Sequence, residues 1–332
     1  MKTVAFFNNK GGVGKTTLVY HLAWMYQELG IDVVTLDLDP QANLTAAFLE
    51  DEQLERLWLD GATAGTILEV IQPLLDRLGD LRAPALQEIG DHLAILPGNL
   101  GLSLFEDRLA EAWPRCLQDN PAEAHDAFRV TTAFYRAALL GAESRNAELV
   151  LIDVGPSLGA LNRAALVACD FVVMPLGADL YSLQGLRNLG PALSQWRSGW
   201  KKRLQENVPP GLPMPQGDMR PIGYVVLQHA VRKDRPVKAY QRWVERIPRV
   251  YHESILRESS PPPDPDPHRL ATLKHYRSLM PLAQDAHKPM FLLKPADGAI
   301  GGHTEAVLDC YRDFKELAIR IATDCGLDIP KS

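Results

Sequence analysis

No apolar run in this chain approaches the length needed to cross a bilayer, which excludes a helical membrane protein. Residues 1–7 already read as a strand, so a cleavable leader is not expected. Cysteine is scarce. Cys116, Cys169, Cys310 and Cys325 are scattered without metal-ligand spacing, which excludes a disulfide framework and a zinc module. They read as ordinary thiols of a reducing cytosol, and a cytoplasmic protein is expected. Excess positive charge is also missing. The 35 Lys and Arg against 41 Asp and Glu leave −6, which argues against nucleic acid as a partner of the whole surface while leaving local patches open. There is no internal repeat. The length of 332 residues admits one large α/β domain or two small ones, and an apolar fraction of 46% suffices for a full core.

What is present is a glycine loop in a telling place. Residues 8–17, Asn-Asn-Lys-Gly-Gly-Val-Gly-Lys-Thr-Thr, follow the apolar run at 3–7 and precede an amphipathic segment at 18–29. Strand, glycine loop and helix form the context of a phosphate-binding loop. The amides of Gly11, Gly12, Val13 and Gly14 would cradle an anion at a helix N-terminus. Lys15 would meet the β- and γ-phosphates, and the Thr16 hydroxyl would coordinate Mg²⁺. Asn9 stands where the generic motif has its first glycine, and an additional lysine, Lys10, follows it.

Two further strands end in carboxylates. Residues 33–36 are continuously apolar but for Thr35 and lead to Asp37 and Asp39. Residues 149–152, Leu-Val-Leu-Ile, lead to Asp153. Buried parallel strands read this way, and their carboxyl ends line the ligand edge of an open α/β sheet. Four aliphatics followed by Asp form the Walker B pattern, whose carboxylate holds Mg²⁺. Short strands are expected at 93–97, 170–175 and 222–228. Helices are expected at 67–81, 100–113, 182–200 and 304–325. Such alternation implies a parallel sheet with right-handed crossovers.

Charge is unevenly distributed. Between residues 44 and 126, carboxylates outnumber arginines about three to one, the composition of a solvated helical face. From 197 to 249 the balance reverses, and Lys201, Lys202, Arg232, Arg235, Lys238, Arg242 and Arg246 are the candidate contacts to an anionic partner. Residues 259–267 carry five prolines and read as a stiff exposed loop.

Together these motifs resemble the ParA/MinD ATPases, whose deviant Walker A loop carries the extra lysine. Residues 37–43, Asp-Leu-Asp-Pro-Gln-Ala-Asn, are similar to that family's switch I, and residues 149–159 to its Walker B and switch II. Residues 170–186 are similar to the segment that follows in ParA-type partition ATPases, and residues 93–100 to its short central strand. The resemblance covers about residues 1–228. It implies a single domain over 1–332 of α/β class: a three-layer, Rossmann-like P-loop NTPase with a mostly parallel twisted sheet flanked by helices. The acidic stretch at 44–126 and the proline-rich loop are then insertions. Gly155 stands where this family usually has proline.

The resemblance also implies roles. Lys15 would grip the subunit's own ATP, and Lys10 would reach across a homodimer to the partner's nucleotide. Thr17 would bind the α-phosphate. Asp39 would position the attacking water, while Asp37 and Asp153 support the Mg²⁺. Gln228 is the candidate adenine contact, with a turn residue as its alternative reading. The implied activity is weak, partner-stimulated ATP hydrolysis by a protein that binds DNA without sequence preference and serves DNA partition, with a ParB-like activator and a nucleoid location. The alternatives are a non-DNA cargo, a regulatory role, or a MinD-type membrane positioner. Asp309, Asp313, Glu316 and Asp324 in the last helix speak against the membrane reading. A metal-cluster relative would need paired cysteines, which Cys116 and Cys169 do not supply. No DNA-binding domain is expected ahead of the loop.

Overall fold

The central strand β1 (Lys2–Phe6) alternates its side chains between two separate cores. Val4 and Phe6 face one, and Ala5 with the following Phe7 faces the other. The computed structural model describes residues 1–58, 65–227, 237–276 and 278–330, with backbone alone at 237–240. Among these, eight strands form one sheet in the order β3-β4-β2-β5-β1-β6-β7-β8. They are β2 (Val33–Asp37), β3 (Gln87–Gly90), β4 (Leu93–Leu96), β5 (Leu149–Asp153), β6 (Phe171–Gly177), β7 (Arg220–Leu227) and β8 (Arg269–Leu273). All pairings are parallel except β3 with β4.

On one face lie α1 (Lys15–Glu28), the short α2 (Asn43–Phe48), α12 (Leu279–Asp285) and the C-terminal α13 (Gly302–Cys325). The other face is covered mainly by α4 (Ile67–Leu75), α5 (Phe105–Arg115), α6 (Pro121–Thr131), α7 (Ala133–Arg145), α8 (Ala160–Val167), α9 (Leu180–Arg203) and α11 (Ile247–Tyr251). Two more helices, α3 (Asp51–Trp58) and α10 (Val237–Val244), lie nearer the surface. Helices on both faces of a largely parallel sheet make three layers, as the alternation of elements implies.

Four expectations about elements need correction. The helix expected over 67–81 stops at Leu75, because Arg77 takes a left-handed conformation with φ of 57°. The one expected over 100–113 divides into a 3₁₀ turn, Leu100–Leu104, and α5. The expected helix at 182–200 is longer, running from an Asp179 cap to Arg203. Strands β3 and β8 were not anticipated at all. Both are edge strands, and β3 holds one large apolar residue, Ile89, so neither carries the apolar run of a central strand.

Register decides where the chemistry sits. Asp37 of β2 pairs with Asp153 of β5, and Asp153 pairs with Phe6 of β1. Both carboxylates therefore emerge level with the glycine loop at the carboxyl edge of the sheet, beside the reversal in strand order around β1.

Candidate functional site

The loop after β1 is held in shape by its own asparagine. Asn8 Nδ2 donates to Pro175 O at 2.7 Å, and Asn8 Oδ1 accepts from the Lys10 amide at 2.9 Å. Gly12 and Gly14 take φ of 69° and 87°, which glycine adopts without strain, and α1 starts at the next residue. Val13 is buried beneath the loop, while Gly11 and Gly12 are exposed.

Lys15 is buried, with Nζ 3.4 Å from Lys10 O. Burial lowers its pKa, and the charges of Asp153 and Asp39 work against that. Thr16 Oγ1 donates to Asp153 Oδ2 at 2.6 Å. The other oxygen, Asp153 Oδ1, is buried without a hydrogen-bond partner among the described residues. Burial, and then the charge of Asp37, raises the Asp153 pKa.

Asp37 is engaged by the protein itself. Its Oδ2 accepts from Thr45 N and Thr45 Oγ1, both at 2.8 Å, and its Oδ1 from Asp39 N at 3.3 Å. Thr45 Oγ1 in turn accepts from Gly98 N at 2.7 Å. Asp39 Oδ1 accepts from Gln41 N at 3.0 Å. Lys15, Thr16, Asp39 and Asp153 thus meet, with Asp37 directly behind them. Three carboxylates confront one ammonium, an arrangement that favours a bound cation.

A cleft of about 710 Å³ opens over this cluster. Its floor is Gly11, Gly12, Gly14 and residues 15–17, and its walls include Asp39, Gln41, Asn43, Pro156 and Met280. A second, more apolar cavity of about 260 Å³ shares Gly12, Gly14, Thr17 and Met280 with it. This one is walled by Leu227 and Leu273 at the ends of β7 and β8, by the nearby Tyr276, and by Phe314 of α13.

Lys10 points away from Lys15 and forms an ion pair with Asp179 at 2.6 Å. Asp179 also caps α9 by accepting from Ser182 N at 2.9 Å. The sequence reading passed over Asn8, Thr45, Gly98 and Asp179, since each acts through a contact with a distant or non-motif partner. Gln228, Arg232 and Arg235 lie outside the described residues, as does the side chain of Lys238. Arg242 and Arg246 are exposed near the N-terminal half of α9, where Leu180, Leu183, Arg187, Trp243, Arg246 and Arg249 line a groove of about 350 Å³. Lys201 and Lys202 sit at the opposite end of α9, roughly 20 Å further along the helix. The basic stretch therefore does not form one continuous surface among the described residues.

A family model described as an AAA domain matches residues 1–206. The chain is 29% identical over 205 residues to the chromosome-partitioning ATPase Soj of Thermus thermophilus, covering 62% of this chain and 66% of Soj. It spans about half to two thirds of the length of the curated relatives it matches. Protein DIP2308 of Corynebacterium diphtheriae superposes with a TM-score of 0.67 at 23% identity over 98% of both chains. A Cyanothece McdA variant in complex with ATP superposes with a TM-score of 0.64 at 15% identity, over 100% of this chain and 99% of that one. At these identities the likeness bears on the fold. It extends through the C-terminal third, which the family model does not reach.

Proposed function

Because this chain belongs to the AAA domain family, as a P-loop ATPase of the ParA/MinD type, we propose that it binds and slowly hydrolyses ATP, pairs two copies around the nucleotide, and positions DNA. The convergence of Lys15, Thr16 and Asp39 upon one cleft, with Asp153 bonded to Thr16 and buried behind it, carries the reading. Loop amides and Lys15 hold the β- and γ-phosphates, and Thr17 the α-phosphate. The apolar cavity of Leu227, Leu273 and Tyr276 takes the adenine.

The residues fit Mg²⁺. Asp153 Oδ1 is an orphaned buried oxygen, the Thr16 hydroxyl lies beside its other oxygen, and the surrounding donors are hard. Thr16 and Asp153 would hold the ion, which supplies charge neutralisation at the phosphates. Asp37, already bound by Thr45, supports them from behind by fixing the turn at Asp39. Asp39 orients the attacking water, itself oriented by the Gln41 amide. Phosphoryl transfer asks chiefly for such positioning and charge.

For pairing, Lys10 leaves Asp179 and reaches the partner's nucleotide. Leu158, Leu180 and Tyr181 are exposed at the same edge and would be covered. The surface proposed for DNA is the groove between α9 and α10–α11, with Arg242 and Arg246 at its border. A ParB-like protein bound to the cargo DNA is the proposed activator. A membrane role has less support, since α13 packs Phe314, Leu317 and Ile321 into the core. Among the described residues no helix is long and apolar enough to cross a membrane.

The test is Asp39→Ala. It should bind an ATP analogue within about threefold of wild type, lose turnover about a hundredfold or more, and accumulate as an ATP-bound dimer in light scattering. Wild-type turnover in this variant would refute the mechanism.

A further inference from the structure

We propose that Glu106 is a positioning residue for ATP hydrolysis: from α5 it clamps the start of α8 and so fixes the loop 154–159 against Asp39. The inference rests on the hydrolytic reading above.

Helix α8 begins without a local cap. Gly159 occupies its N-cap position and has no side chain to offer, so the first amides need an acceptor from elsewhere. Glu106 supplies two oxygens. Oε1 accepts from Ala160 N at 2.5 Å, and Oε2 from Leu161 N at 2.7 Å. A carboxylate is favoured at this positive end of a helix. The approach is close enough that a Cβ on residue 159 would overlap Oε1 and would have to displace the carboxylate.

The rest of the loop is braced from within. Asn162 Nδ2 donates to Gly155 O and to Ser157 O, both at 2.7 Å. At the near end, Asp153 O accepts from Leu38 N at 2.9 Å. Between these anchors Gly155 lies directly on Asp39, so that a Cβ there would stand 3.2 Å from Asp39 Oδ1. Pro156 lines the phosphate cleft. The carboxylate that orients the water is therefore walled by a loop whose far end hangs on Glu106.

Helix α5 is a firm mount for this clamp. Phe105, Leu109 and Ala112 are buried, and Arg108 pairs with Asp126 at 3.0 Å. Arg163 of α8 lies over the Trp113 ring of α5 at 4.4 Å and donates to Leu109 O at 3.4 Å. Glu106 thereby gives the acidic segment a part in the chemistry, transmitted through switch II. A simple helix cap would make a different prediction: its removal would cost stability alone.

Turnover, ATP affinity and hydrogen exchange across residues 154–161 separate these cases in wild type, Glu106→Ala and Glu106→Gln. Glu106→Ala should keep ATP affinity within about twofold while kcat falls about tenfold or more. Its Ala160 and Leu161 amides should exchange faster, with protection retained in β1, β5 and α1. Glu106→Gln keeps one acceptor oxygen and should recover part of kcat. Unchanged kcat in Glu106→Ala, despite faster exchange at 160–161, overturns the proposal. A fall in kcat that tracks a loss of protection throughout the chain does so as well. Wild-type protein that binds ATP without turning it over defeats the hydrolytic reading and this proposal with it. An active wild type beside an equally active Glu106→Ala defeats the positioning role alone.

Discussion

The two flanks of the sheet's carboxyl edge treat charge in opposite ways. Around β2 and β5, Asp37 and Asp153 are wholly buried, and burial raises the pKa of both. Such groups need compensation from the protein, as Asp37 receives from Thr45, or from a cation, as the bare oxygen of Asp153 invites. Beside β6 and β7, Arg187, Arg242, Arg246 and Arg249 stand in solvent. Water stabilises these charges, and an exposed pair such as Arg249–Glu253 is worth little. The difference teaches what each flank awaits. In the proposed reading, the buried side is completed by a small ion and a phosphate chain. The exposed side is cheap to leave open and suits a macromolecule that comes and goes.

The largest effect that would sharpen this contrast is the pH dependence of stability on the buried flank. His21 of α1 borders the cleft and is buried. Its Nδ1 lies 2.7 Å from Thr17 O, and its Nε2 accepts from Met290 N at 3.2 Å, which fixes a neutral ring protonated on Nδ1. Burial lowers its pKa from 6.5 to about 4. The unfolded chain therefore binds this proton near pH 6.5 and the folded chain only near pH 4. The stability contributed is complete above pH 6.5 and declines as pH falls toward 4, by about 3 kcal/mol. Because the raised pKa values of Asp37 and Asp153 shift stability the opposite way, the readout is a difference: between pH 7.5 and 4.5, urea unfolding should show wild type losing about 2 to 3 kcal/mol more, or gaining that much less, than His21→Gln. Identical slopes would mean that the ring protonates without cost, and the contrast between flanks would fail here.

A smaller effect is expected from the exposed flank, and it concerns binding. Arg242→Glu combined with Arg246→Glu should weaken retention of DNA by the ATP-bound protein about tenfold or more at low salt, whatever the DNA sequence. Folding should change little, since both side chains are exposed. Lys201→Glu with Lys202→Glu, at the far end of α9, should cost less. Filter binding over a salt series separates the outcomes. Equal losses from both pairs would restore a single broad basic surface, and no loss from the first pair would move the DNA elsewhere.

What the sequence made readable follows from locality. Residues 10–17 adjoin one another, and Asp39 and Asp153 close apolar runs, so residue type and spacing sufficed to mark them and to indicate the layered parallel fold. The parts that escaped act at a distance. Glu106 is one carboxylate in an acidic stretch that reads as a solvated face, and its partners at 160 and 161 are backbone amides that carry no signature in the sequence. Thr45 shows its purpose only once β2 and α2 bring it under Asp37. β8 was hidden because a partly exposed edge strand beyond a run of prolines lacks the apolar pattern of β1 or β5. The basic stretch misled for a related reason. Nearness along the chain did not become nearness in space, because α9, at 24 residues, is long enough to carry Lys201 and Lys202 away from Arg246.

The smallest effect tests where the two flanks meet, at Lys10. Its ammonium pairs with Asp179 at 2.6 Å and lies 5.9 Å from the ring of Tyr181, so the lysine proposed to reach a partner's nucleotide is occupied within its own subunit. The pair is partly exposed, at 29% for Lys10 and 17% for Asp179, so breaking it should cost no more than about 1 kcal/mol. Asp179→Asn removes the charge while keeping an oxygen that can still accept from Ser182 N at the start of α9. Its thermal midpoint should stay within a few degrees of wild type. Lys10 would then be free at no cost in helix capping, and ATP-dependent dimerisation by light scattering should rise a few-fold, by at most the roughly 1 kcal/mol that held the pair. A fall in dimerisation with an intact fold would mean that Asp179 itself belongs to the paired state. The ion pair would then be a shared element of assembly, and the release of Lys10 would have to come from another change.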